Sequence, residues 1–214
     1  ANAGLILQMA LKANGSEFNY SPFINSSLDN CSKEEYLANR EGLLTKADSL
    51  LEKSSATDQE FFGRILDKEL EYGTFDTIRD VARACHLWRK SGIRAELLLP
   101  KLVAKVLEWP ERKDGDPLNL LFARCSMVIK AIASGEKLKE GTGNAESPQA
   151  DQLLALLNAC SSKCHQDSAN GGNYRKLLVR LLSLSECNSM MHKPNGFNVV
   201  VPMVLRTFFF ETRE

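Results

Sequence analysis

Apolar residues return every three to four positions in one segment of this chain after another, and a turn signal closes each segment. This pattern constrains the fold more than any motif does. A period near 3.6 lines one face of a helix, whereas a half-buried strand needs strict alternation. Ser32 stands three residues before Glu35, the spacing of a capping box, and opens a stripe of Leu37, Leu43, Leu44, Ala47, Leu50 and Leu51 that "SSAT" ends. Asp58 is expected to cap the next helix, with Phe61, Phe62, Ile65, Leu66 and Leu70 on one face and Gly73 as its stop. Thr74 is expected to cap a third, with Phe75, Ile78, Val81, Ala82, Cys85 and Trp88 in register and Gly92 closing it.

"AELLLPKLVAKVLEWP" follows, with Pro100 suited to a helix start or a kink. "PLNLLFARCSMVIKAIASG" then puts Leu118, Leu121, Phe122, Cys125, Val128, Ile129 and Ile132 on one stripe. Further helices are expected over 148–164, 173–185 and 202–213, although "NVVVP" and "TFFF" in the last region suit a strand as well. At the N-terminus "AGLILQMALKANG" reads as a short helix and "SEFNYSPFINSSLDNC" as a loop. The sum is an all-α fold of about eight amphipathic helices, an irregular α-solenoid or a helical bundle. A helical region over 1–134 and another over 148–214 read as one continuous domain, and the glycine-rich stretch 135–147 between them reads as a flexible loop.

A chain of 214 residues buries a sizeable core without a staple. Its 27 basic and 27 acidic residues cancel, so any electrostatic recognition has to be local. No uninterrupted apolar run reaches the roughly 18 residues of a membrane span, and no membrane partner is expected. Six thinly spread cysteines in a leucine-rich chain favour free thiols in a reducing intracellular compartment. Asn-x-Ser sequons at 14, 25 and 30 are the counter-signal for secretion, and a start at Ala1 reads as a processed or trimmed N-terminus that leaves organelle import open.

Two constellations carry possible chemistry. Cys160, Cys164, Cys187 and His192 have the outline of a four-ligand zinc site, and "CSSKCH" is one residue longer than a haem-attachment motif. Cys160 and Cys164 also continue the apolar stripe of Leu153, Leu156 and Leu157, which is where a packing cysteine sits. The stretch becomes a site only if Cys187 and His192 fold back onto that face. The second constellation is basic: Arg79, Arg83, His86 and Lys90 share a helix face at i, i+4, i+7 and i+11, and Lys101 and Lys105 repeat the spacing on the following helix. Such a ridge suits phosphates or an acidic protein surface, and its bland counterpart is a solvated helix face. The chain has no Gly-x-Ser-x-Gly, His-Glu-x-x-His or Walker signature, so no catalytic residue is nominated. Asp67, Glu69 and Glu71 lie on an amphipathic helix where Glu69 and Glu71 do not share a face, which gives paired-carboxylate chemistry little support.

Over residues 33–109, turns near 55, 73 and 92 space four helices by about 18 to 19 residues. This rhythm resembles the helix pairs of tetratricopeptide and pentatricopeptide repeats, though without their internal residue signature. The resemblance implies an α-solenoid and carries over no functional residue. The expectation is a non-enzymatic helical scaffold that binds other proteins as a subunit of a larger assembly. An RNA-binding helical repeat using the ridge at 79–105 is the first alternative, and a zinc-stabilised helical module the second.

Overall fold

The computed structural model describes residues 2–12, 22–51, 56–110, 115–134, 148–191 and 196–209. Among them the only regular structure is α-helix, with no strand. The helices are α1 (Ala3–Lys12), α2 (Pro22–Asn30), α3 (Lys33–Leu50), α4 (Ala56–Tyr72), α5 (Ile78–Lys90), α6 (Arg94–Val106), α7 (Pro117–Ser134), α8 (Pro148–Gln166), α9 (Gly171–Leu182), α10 (Ser185–Met191) and α11 (Gly196–Phe208). They form two compact units, residues 1–74 with 83–102 and residues 75–82 with 103–214, whose boundaries fall between α4 and α5 and inside α5 and α6. The stretch 135–147, read above as a loop between two regions, lies outside the described residues.

The capping signals account for several helix starts. Ser32 Oγ accepts from the Glu35 amide at 3.2 Å, and Glu35 Oε2 accepts from the Ser32 amide at 2.9 Å. The other carboxylate oxygen, Oε1, accepts from the Gly4 amide at 3.0 Å, so one side chain closes the start of α3 and holds α1. The cap of α5 is Thr77 rather than Thr74. Its hydroxyl accepts from the Asp80 amide at 3.2 Å while Asp80 accepts from the Thr77 amide at 3.1 Å, a capping box with the shorter acid. Asp58 is not the cap of α4, which begins at Ala56; it lies in the first turn, where a carboxylate meets the positive end of the helix dipole. Gly92, at φ +56, makes the turn into α6, where a side chain would be strained.

Two expectations yield to tertiary packing. Residues 22–30, read as loop, are helical: Pro22 opens α2 where its missing N–H costs nothing, and Ile24 and Leu28, four apart, are buried. On α3 the buried stripe is Tyr36, Leu43, Leu44 and Ala47, whereas Leu37 is 44% exposed. α11 settles the ambiguity of "NVVVP" as a helix that carries Pro202 inside it and buries Val200, Met203 and Thr207.

Five contacts between helices of the first unit span similar sequence separations, four of them between alternate helices and one, Tyr36–Glu69, across the α3–α4 pair. Gly4 meets Glu35, Asp29 meets Arg64, Tyr36 meets Glu69, Asp48 meets Arg83 and Asp67 meets Lys101, at separations of 31, 35, 33, 35 and 34 residues. The pairs Glu60–Arg94 and Asp67–Lys101 run α4 and α6 in the same direction. Gly4–Glu35 and Gly42–Leu11 do the same for α1 and α3, and a Cβ on Gly42 would fall 2.9 Å from Leu11 Cδ1.

In the second unit α7, α8 and α9 pack mutually, and α11 lies on α8. Their core is built from Leu121, Cys125, Val128 and Ile129, from Leu156, Leu157 and Cys160, and from Tyr174, Leu177 and Leu181. Gly171 allows α9 to fold back on α8, since a Cβ there would stand 2.5 Å from the Cys164 carbonyl oxygen. Tyr174 donates its hydroxyl proton to the Leu107 carbonyl at 2.6 Å, and Ser161 and Thr207 share a buried hydrogen bond of 2.6 Å between α8 and α11. Among the described residues α7 is, by length and composition, apolar enough to cross a membrane; here those apolar residues form the unit's core.

Candidate functional site

The cysteine group is built on the faces the stripes predict. Cys160 and Cys164 lie one turn apart on the buried side of α8, and Cys187 is buried on α10. Their hydrogens are already engaged on α8: Cys160 donates to the Tyr174 carbonyl at 3.7 Å and Cys164 to the Cys160 carbonyl at 3.3 Å. Burial pushes the Cys160 thiol well above its ordinary value and the Cys187 thiol up to about 11. Cys125, in the same core, rises to about 12 for the same reason. Metal ligation and nucleophilic attack both use the thiolate, so these surroundings favour the packing role over the ligand role. Among the described residues no three His, Cys, Asp or Glu side chains gather as a metal would require. His192 lies outside the described residues, and His165 is exposed at the end of α8. All six cysteines are free thiols.

The basic residues are more exposed but extensively compensated. Arg79, His86 and Arg89 are exposed along α5. Arg83 pairs with Asp48 of α3 at 3.2 Å, Lys101 with Asp67 of α4 at 2.6 Å, and Lys105 with Glu108 at 3.1 Å. Lys90 is half-buried and also holds an interaction. Half of the six residues expected to form a ridge thus carry a carboxylate, which lowers the local field available to a polyanion. Exposed pairs of this kind contribute only about 0–1 kcal/mol each, and a phosphate competes with them at low cost.

Two features escaped the reading of the sequence. The first is a buried polar cluster. Glu69, 5% exposed, accepts from the Tyr36 hydroxyl at 2.6 Å and receives a bidentate fork from Arg40 at 2.8 and 2.7 Å. Burial first, and then the negative Glu69, push the Tyr36 hydroxyl far above its ordinary value. Both carboxylate oxygens are occupied, so the cluster clamps α3 to α4 and offers no open position for chemistry. Its signal was present in the sequence: Glu69 follows Ile65 by four residues and Leu66 by three, on the buried stripe.

The second is an apolar edge. Ile93, just ahead of α6, is 87% exposed and Leu97 is 76% exposed, and Pro100 is exposed beside them. The opposite side of α6 buries Leu98, Leu99 and Leu102. A helix with an apolar stripe on each side belongs to a buried environment or meets a partner.

No protein-family model, curated protein or solved structure matches the chain.

Proposed function

We propose that this chain is a helical-repeat scaffold, an irregular α-solenoid that holds other macromolecules together as a subunit of a larger assembly. The observation that carries the reading is the separation of 31 to 35 residues in four contacts that join alternate helices, α1 to α3, α2 to α4, α3 to α5 and α4 to α6. Stacked helix pairs produce such a period, because each helix meets its equivalent in the next pair rather than a distant element. Solenoids bind through extended surfaces rather than enclosed pockets, which agrees with polar groups that are closed on one another and apolar residues that are left outside.

Affinity purification of the tagged chain, with and without nuclease, tests the reading. Stable protein partners retained after nuclease are expected, and a chain that captures nothing in either arm overturns it. The exposed Arg79, His86 and Arg89 favour a second reading, RNA binding along α5. In that case capture is lost with nuclease, and reversing Arg79, Arg83, Lys90, Lys101 and Lys105 to glutamate abolishes a salt-sensitive RNA complex. Each phosphate contact removed lowers the slope of log affinity against log salt by about one. An unchanged affinity removes the RNA reading.

A further inference from the structure

The exposed edge of α6 is bordered asymmetrically. At about 100° per residue, Ile93, Leu97 and Pro100 fall on one narrow stripe. Exposed Glu96 lies along one border of it, and Lys101 and Arg94 lie along the other. Lys101 keeps a largely exposed side chain although it touches Asp67, and Arg94 leans on Glu60. In heptad terms the stripe occupies the seam, Glu96 a g position and Lys101 an e position.

We infer that α6 is a homotypic contact, pairing in parallel and in register with α6 of a second copy of this chain. Such bordering is self-complementary in only one direction. When two identical helices pair in parallel about a two-fold axis along the seam, each g residue faces the e residue about five positions further along its partner. Glu96 then faces Lys101 of the second copy, twice over, while Leu97 meets Leu97 and Ile93 meets Ile93. In antiparallel pairing Glu96 meets Glu96, which is repulsive, while Lys101 and Arg94, each held by a carboxylate of its own chain, lie on the other border. The acidic–basic asymmetry therefore selects a second copy in parallel orientation. The stripe is short against the roughly 800 Å² per partner of a standard interface, so the dimer is weak, with a dissociation constant of about 10 µM to 1 mM. The inference is independent of the scaffold reading, which is judged by capture of other molecules.

Sedimentation equilibrium of the 214-residue chain across about 5 to 500 µM, spanning that range, reads the association directly. Wild type is expected to move from monomer toward dimer. Leu97→Asp is expected to weaken association by about tenfold or more, as removal of a central apolar anchor does. The side chain is exposed, so the fold survives, and an unchanged circular-dichroism melt verifies it. Glu96→Lys alone and Lys101→Glu alone each set like charges opposite one another and weaken self-association about two- to fivefold. Their equimolar mixture restores both bridges and associates more strongly than either variant by itself, which a generic sticky patch does not do. A chain monomeric throughout, association indifferent to Leu97→Asp, or a mixture no stronger than its components each overturns the inference.

Discussion

At the scale of single residues, the buried carboxylate of Glu69 carries the largest local consequence in the first unit. Arg40 neutralises it through two hydrogen bonds and Tyr36 satisfies one oxygen further. Removing the hydroxyl and removing the guanidinium are therefore different experiments. Tyr36→Phe takes away one hydrogen bond but leaves the charge paired, for a loss of about 1–2 kcal/mol. Arg40→Met preserves much of the volume but strands an anion in a nearly sealed site, which costs about 3 kcal/mol, the low end for a broken buried pair because Arg40 is itself part-exposed. Urea unfolding at neutral pH measures both. If Arg40→Met proves no more damaging than Tyr36→Phe, the carboxylate is not held as the charged half of a buried pair.

At the scale of elements, Glu35 links the cap of α3 to the first turn of α1. Its carboxyl is held below the ordinary 4.5 by the Ser32 amide first and the Gly4 amide second. A depressed folded-state value contributes stability above the unfolded value and loses it as pH falls through the folded one. Wild type should thus lose stability on the acid side of pH 4.5 in part through this group, and Glu35→Gln should flatten that portion of the acid limb in thermal melts. A variant whose acid limb overlays wild type would detach the cap from the pH response. The cap was legible in the sequence because a capping box depends on residues three apart, and so was the buried face of α4, whose apolar residues repeat without interruption. The stripe of α3 was misjudged by one position, since Tyr36 and Leu37 are neighbours on the wheel and only contact with α4 makes the tyrosine the inner residue. α2 was invisible because "PFINSSLDN" has weak helical preference and a single apolar pair, and what makes it a helix is burial against α1 and α4. The same pairing turns Asn25 Oδ1 into the interior and buries Ser27. Asp48 and Asp67 lie about 34 residues away from the cations they meet, a distance that helical periodicity alone does not bridge.

At the scale of the whole molecule, the question is which parts fold together. α7 ends at Ser134, so a division in the stretch after it would assign α7 to the N-terminal piece. Yet its buried face packs on α8, α9 and α10. Leu121, Val128, Ile129 and Ile132 are nearly inaccessible there, and each contributes about 1.5–3 kcal/mol by burial. Together they rival the about 5–15 kcal/mol of net stability of a typical domain. Arg180 of α9 adds a cation–π contact 4.1 Å from the Phe122 ring centroid and a 2.8 Å hydrogen bond to Asn119. A protease site introduced between residues 135 and 147 and cleaved after folding should therefore leave two pieces that co-elute in size-exclusion chromatography. Produced alone, residues 1–134 should expose the α7 face, bind a hydrophobic dye and aggregate, and residues 148–214 should lack a cooperative melt. Mixing the two during refolding should recover the cooperative transition of the intact chain. If both pieces instead fold separately as monomers with sharp melts, the core built on α7 is not what holds the second unit together.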